Sequence, residues 1–206
     1  MSLHIDSLTC IRQDRLIFAD LSFSLSAGEM MWVKGRNGVG KSSLLRILAG
    51  LLAPAAGKVS WNGTDIADEP DIYHQNFRYI AHQDALKAAF SARENLDFWA
   101  DYAGQDQVLA ALQAFELQDI ADHPVRILSA GQKKRSNLAR LIACPAPLWI
   151  LDEPVSSLDS HYIKLFKSLL LAHVTKGGMA ILATHQDLEI DNIRILDLDR
   201  KGTALC

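Results

Sequence analysis

The sequence predicts an α/β fold in which an N-terminal antiparallel β-subdomain and an inserted helical subdomain flank a mixed central sheet. Three observations carry this prediction. Apolar and polar residues alternate from Leu3 to Leu25; continuous apolar runs occur at 30–34, 148–154 and 179–185; and a helical, alanine-rich stretch extends from about Asp84 to Cys144. A length of 206 residues suffices for one core with a small insert, so the chain reads as a single domain over 1–206 with the helical subdomain at roughly 84–145.

Each element follows from its local pattern. LHIDSL and LIFADLSFSL alternate with the period of half-buried strands, and the pattern breaks at Ala27-Gly28. MMWVK, residues 30–34, is a short apolar strand that runs into a glycine-rich loop; SSLLRILAGLL then has helical spacing, with Gly50 near its end. In KVSWNGTDI the Asn62-Gly63 pair signals a hairpin turn, and RYIA at 78–81 reads as another strand. The helical pieces of the insert are ENLDFWADYA, DQVLAALQAFEL and QKKRSNLARLIA. LWILDEP and MAILATH are apolar at successive positions, as parallel strands covered on both faces are, and HYIKLFKSLLLAHV between them is an amphipathic crossover helix.

Composition narrows the function. The net charge is −3 and the one dense cationic run is Lys133, Lys134 and Arg135, so no nucleic-acid partner is expected. No charged segment leads into a long apolar one at the N-terminus, and no stretch approaches the roughly 18 apolar residues that cross a bilayer. A cytosolic, soluble chain is therefore expected. Cys10, Cys144 and Cys206 are far apart and in no metal-ligand spacing, so they read as reduced thiols or core fillers. His4, His74, His82, His123, His161 and His173 have no paired spacing, so no direct haem binding is expected either.

Two motifs carry chemistry. Gly35, Gly40, Lys41 and Ser42 fit G-x-x-x-x-G-K-[ST] between a strand and a helix. In that context the backbone of Gly35, Arg36, Asn37, Gly38, Val39, Gly40, Lys41, Ser42 and Ser43 wraps phosphates at a positive helix end. Lys41 supplies charge to the β and γ phosphates, and the Ser42 hydroxyl ligates Mg²⁺. LWILDEP delivers Asp152 to the end of a buried strand, where a carboxylate holds Mg²⁺ through water; Glu153, next to it, is placed to polarise an attacking water. The alternative reading of the acidic pair is a strand end solvated at the surface.

GRNGVGKSS, LSAGQ at 128–132, LDEP, SSLD at 156–159 and ATH at 183–185 occur in one order across nearly the whole chain. In this the sequence resembles the ATP-binding subunits of ABC transporters, a branch of the P-loop NTPases, with ATP and Mg²⁺ as the implied ligands. The resemblance implies that LSAGQ is the signature sequence. Ser129 and the N–H groups around Gly131 would then form an anion site aimed at ATP on a second subunit, so a homodimer forms on ATP binding. It further assigns His185 to the γ-phosphate, Asp159 to the loop at the dimer interface, and Gln83 to the Q-loop and the Mg²⁺; His82 stands equally near that place. The position where many members put an adenine-stacking aromatic falls near Arg12, which reads equally as a guanidinium stacked on the base or as a solvated loop arginine.

RYIAHQDALKAAFSARENLDFW, LSAGQKKRSNLARL and CPAPLWILDEPVSSLD narrow the likeness to the haem-exporter ATPases of bacterial cytochrome c maturation. Asp84-Ala85 departs from the glycine or proline those proteins often carry after His-Gln. The implied function is an ATP-hydrolysing, energy-coupling subunit. It would sit peripherally on the cytoplasmic face of the bacterial inner membrane, bound to integral membrane permease subunits. Three other readings stay open: an ABC ATPase serving a different transported substrate, a soluble ABC protein that remodels ribosomes or nucleic acid, and a small-molecule kinase that would leave LSAGQ without a role.

Overall fold

A computed structural model describes residues 1–191 and 193–199. Cys206 lies outside the described residues; Cys10 and Cys144 are buried free thiols.

The chain opens with strands β1 (Ser2–Arg12) and β2 (Arg15–Ser26), followed by β3 (Met30–Lys34) and helix α1 (Lys41–Leu48). Strands β4 (Ala56–Trp61) and β5 (Thr64–Asp65), helix α2 (Pro70–Gln75) and strand β6 (Phe77–Ile80) come next. Helices α3 (Ala92–Ala103), α4 (Val108–Ala114) and α5 (Ala130–Ala143) then intervene before β7 (Leu148–Asp152), α6 (Ser160–Thr175), β8 (Met179–Ala183) and β9 (Arg194–Asp197). Among the described residues no helix is long and apolar enough to cross a membrane.

Two sheets result, in the orders β2-β1-β4-β5 and β6-β7-β8-β3-β9. The first is antiparallel, as the alternation at 3–25 requires. The second is parallel at each described pairing. A mixed central sheet was expected; the antiparallel pairing falls instead in the separate four-stranded sheet. The physical reason is that β3 leaves the hairpin region at Ala27-Gly28 and takes its place beside β8, two strands covered on both faces.

That coverage explains the unbroken apolar runs. Leu148 and Ile150 of β7, with Met179, Ile181 and Ala183 of β8, face a core shared with α1 and the antiparallel sheet. Trp149, Leu151, Ala180 and Leu182 face a second core shared with α3, α4, α5 and α6. Period-two alternation persists, but both faces are dry. Because the strands are parallel, β3, β7 and β8 all end at one edge of the sheet, and the residues that follow them converge there.

Candidate active site

The phosphate loop follows β3, and its shape depends on two glycines. Gly40 caps α1 with φ 117°, a conformation L side chains rarely adopt, and a Cβ there would lie 2.3 Å from Ile17 Cγ2 of β2. Gly35 has φ 144°, and its Cβ would meet Val39 Cγ1 at 2.7 Å. The loop is therefore folded tightly on itself and packed from outside by the antiparallel sheet. Lys41 is buried, and its Nζ donates to the carbonyl oxygens of Gly35 at 2.7 Å and Arg36 at 3.2 Å. The ammonium is thus held across the mouth of the loop.

β7 brings the two acids to the same place. Asp152, its last residue, is buried. Glu153 takes φ 51°, and its amide donates to the Ala183 carbonyl oxygen at 2.8 Å, so the chain turns while still pinned to β8. The Ser156 hydroxyl donates to the Glu153 carbonyl oxygen at 3.0 Å and fixes the turn from the other side. Glu153 Oε1 is buried without a hydrogen-bond partner. Tyr79 of β6 lies behind this corner; burial first, and then the charge of Asp152, push its phenol upward, so it stays protonated.

β8 delivers His185. Trp32 Nε1 donates to the Thr184 carbonyl oxygen at 3.0 Å, and the Gln186 amide donates to the Thr184 hydroxyl at 3.2 Å, which sets the exit of the strand. His185 Nε2 then sits 3.3 Å from Lys41 Nζ and 3.5 Å from Glu153 Oε1. A neutral imidazole satisfies one of these contacts at a time: Nε2 accepts from the ammonium, or carries a proton toward the carboxylate. The histidine therefore stands between the ammonium of Lys41 and the carboxylate of Glu153.

Asn37, Gly38, Gly40, Lys41, Ser42, Ser43, His82, Asp152, Glu153, Ser156 and His185 line one cavity of about 600 Å³. Nine of the seventeen residues expected in the site line it and eight do not, Gly35 and Val39 of the loop among the latter. Arg36 is exposed and turned to the C-terminal strand, its amide donating to Asp199 at 2.8 Å and its Nε 3.1 Å from the same carboxylate. His82 lines the cavity, whereas Gln83 is exposed outside its lining. Arg12 is exposed at the end of β1, beside the Gln13-Asp14 turn, and is not one of the lining residues.

Ser129, Gly131 and Asp159 also lie outside this cavity. Ser129 caps α5: its hydroxyl accepts from the Gln132 amide at 3.2 Å, and its own amide donates to Gln132 Oε1 at 2.8 Å. The amides of Ala130 and Gly131 precede any intrahelical acceptor. Gly131 is pressed against the SSLD turn, since a Cβ there would lie 3.0 Å from the Ser157 carbonyl oxygen. Asp159 caps α6 by accepting from the Tyr162 amide at 3.1 Å. Sequence reasoning missed Ser156 and Asp199. Ser156 had a signal in its place in SSLD, whereas Asp199 reaches the loop through β9.

A family model described as ABC transporter matches residues 18–156. The chain is 48% identical over 94% of its length to a cytochrome c biogenesis ATP-binding export protein of Rhodospirillum rubrum, 84% of which is covered. It is 47% identical over 96% of its length to the protein of the same name from Paramagnetospirillum magneticum, covering 94% of it. Among solved structures, an ATP-binding subunit of an ABC transporter superposes with a TM-score of 0.88 at 26% identity, over 98% of this chain and 89% of that one. A dimeric ATP-binding cassette in a post-hydrolysis state bound to ADP and Pi shares the fold, with a TM-score of 0.83 at 22% identity over 95% and 93% of the two chains.

Proposed function

We propose that this chain, which belongs to the ABC transporter family and is an ABC ATPase, couples ATP hydrolysis to export in the assembly of c-type cytochromes, with haem as the cargo of the complex. The observation that carries the chemistry is Glu153 Oε1: a buried carboxylate oxygen without a hydrogen bond, 3.5 Å from His185 Nε2, at a cavity walled by the phosphate loop. A water placed there would satisfy that oxygen and face the γ-phosphate. Glu153 takes the proton of this water as it attacks. His185, within reach of both Glu153 and Lys41, contacts the γ-phosphate. Lys41 exchanges its two loop carbonyls for the β and γ phosphates, with the loop amides and the N-terminus of α1 adding positive potential.

The donor set fits Mg²⁺. The Ser42 hydroxyl and the Asp152 carboxylate, both hard oxygen ligands, line one cavity, and Gln83 is the third ligand in this reading. Among the described residues no group of three His, Cys, Asp or Glu forms a metal cage, so water and phosphate oxygens would complete the shell. When bound, the ion neutralises charge on the β and γ oxygens.

The site is half of a pair. Ser129 and Gly131 lie outside the lining of their own chain's cavity, which supports a homodimer in which each signature helix completes the partner's ATP site, with Asp159 near the contact. Arg12 is assigned to the adenine. The chain is treated as one ATP-binding unit over 1–206, with 84–145 as its helical part, peripheral on the cytoplasmic face of the inner membrane and bound to permease subunits there. Nucleic acid and direct haem contact have no part in this reading.

A Glu153→Gln variant tests it. It keeps its ATP affinity, loses turnover and accumulates a nucleotide-sandwiched dimer. Normal hydrolysis by the variant overturns the base assignment. Co-purification with ribosomes, and not with co-expressed membrane partners, overturns the export role.

A further inference from the structure

The segment between β6 and α3 is irregular, and its second residue, His82, lies in the wall of the cavity. Two residues later, Asp84 Oδ1 accepts a hydrogen bond from Asn137 Nδ2 at 3.0 Å and lies 3.6 Å from Lys134 Nζ. Lys134 and Asn137 are three residues apart on α5, so they share one face of the helix that Ser129 caps. Both are buried: Lys134 is 3% exposed and Asn137 0%. Lys134 Nζ has no hydrogen-bond partner, and Asp84 supplies the one carboxylate within 4 Å of it among the described residues.

The same face continues to Arg140, whose Nη1 donates to Asn137 Oδ1 at 2.9 Å while its guanidinium lies 3.9 Å from the ring centre of Trp99 on α3. Burial lowers the pKa of Arg140 to about 10. A row of buried cationic and amide groups on α5 therefore ends in a single carboxylate, and that carboxylate belongs to the segment that walls the nucleotide cavity. A buried charge separated from its partner is strongly unfavourable, so the two move together. Lys134 is five residues from Ser129, about 7.5 Å along the helix axis, so a displacement at Asp84 reaches the signature end with little loss.

We infer that Asp84 is a positioning residue that couples occupancy of the cavity, through Lys134 and Asn137, to the orientation of the α5 N-terminus presented to the partner subunit. This rests on the reading that two half-sites close on ATP. The shared electrostatic tie is specific: Asn137 reports on hydrogen bonding, Lys134 on charge.

The full chain is tested as Asp84→Asn, Lys134→Met and the double variant, with kcat, KM, nucleotide-analogue affinity of the monomer and the melting temperature measured for each. Asp84→Asn keeps an acceptor for Asn137 and leaves Lys134 without a counter-charge. It is expected to lower kcat about ten- to hundredfold, the scale of a small misplacement of a reacting group, with nucleotide affinity of the monomer unchanged. The double variant removes the stranded cation and recovers most of that loss, measured well below the melting temperature of every variant. An unchanged kcat in Asp84→Asn, a matching loss of monomer affinity, or a double variant as slow as the single one overturns the inference. A Glu153→Gln chain that forms no ATP-dependent dimer overturns the half-site reading instead; a normal dimer in that chain beside normal turnover in Asp84→Asn overturns the coupling alone.

Discussion

Replacing Gly40 with alanine puts a methyl group where Ile17 Cγ2 already lies, 2.3 Å from the new Cβ, at a residue whose φ of 117° disfavours any side chain. Holding an L residue in such a region costs about 1–3 kcal/mol. Overpacking a tight contact adds about 1–3 kcal/mol. The sum is about 2–6 kcal/mol, shared between the loop conformation and the fold. If the lower bound falls on the loop alone, nucleotide affinity drops about thirtyfold, since each 1.4 kcal/mol is a factor of ten. If it falls on the whole domain, Tm drops by about 4–8 °C for a chain of this size. Titration with a fluorescent ATP analogue, together with thermal unfolding of the same sample, separates the two. Ile17→Ala in the Gly40→Ala background removes the clash and leaves the backbone strain, so it restores part of the loss. Unchanged affinity and Tm in Gly40→Ala would refute the reasoning, and so would a second substitution that restores nothing.

Other outcomes follow from the same geometry. His173 stacks flat on Trp149, with centroids 3.9 Å apart and planes 6° from parallel, and burial lowers its pKa below the ordinary 6.5. The unfolded chain therefore binds the proton more readily than the folded one. This contribution is complete above about pH 6.5 and is lost as the pH falls through the folded value; Tm should decline in that window, and less so in His173→Phe. Lys41→Met abolishes turnover and weakens nucleotide binding, read by phosphate release and by analogue titration; retained turnover contradicts the role of the ammonium. Asp199→Ala removes an exposed pair and one hydrogen bond to the Arg36 amide, so it should cost only about 1–2 kcal/mol in chemical denaturation. A larger loss would mean that β9 holds the loop in place more firmly than these contacts explain.

The sequence made the phosphate loop, Asp152 and Glu153 legible because each chemical residue is delivered by the strand or loop directly before it. β7 and β8 were equally plain, since burial on both faces leaves no polar break. The Asn62-Gly63 turn announced itself, whereas Gln13 and Asp14, at φ 48° and 58°, make a comparable turn without glycine and gave no signal. Helix α2 is six residues long and has one buried side chain, Tyr73, too little for periodicity to reveal; Pro70 at its start was the available mark. β9 has four residues at a sheet edge, where one face is half-exposed and the apolar pattern fades. The cavity wall was the least legible part. Whether His82 or Gln83 faces inward depends on an irregular segment anchored at a distance by Asn137 and Lys134, and no local pattern encodes an anchor 50 residues away.

The most direct test of the central claim, that each ATP is hydrolysed between the phosphate loop of one subunit and the signature helix of the other, is complementation. Lys41→Met and Ser129→Arg chains, each inactive alone, are mixed in equal amounts and assayed for phosphate release. Half of the dimers then contain one intact composite site of two, so about a quarter of normal activity is expected if the sites act independently. Full activity in Ser129→Arg alone, or no recovery in the mixture above either parent, would contradict the account.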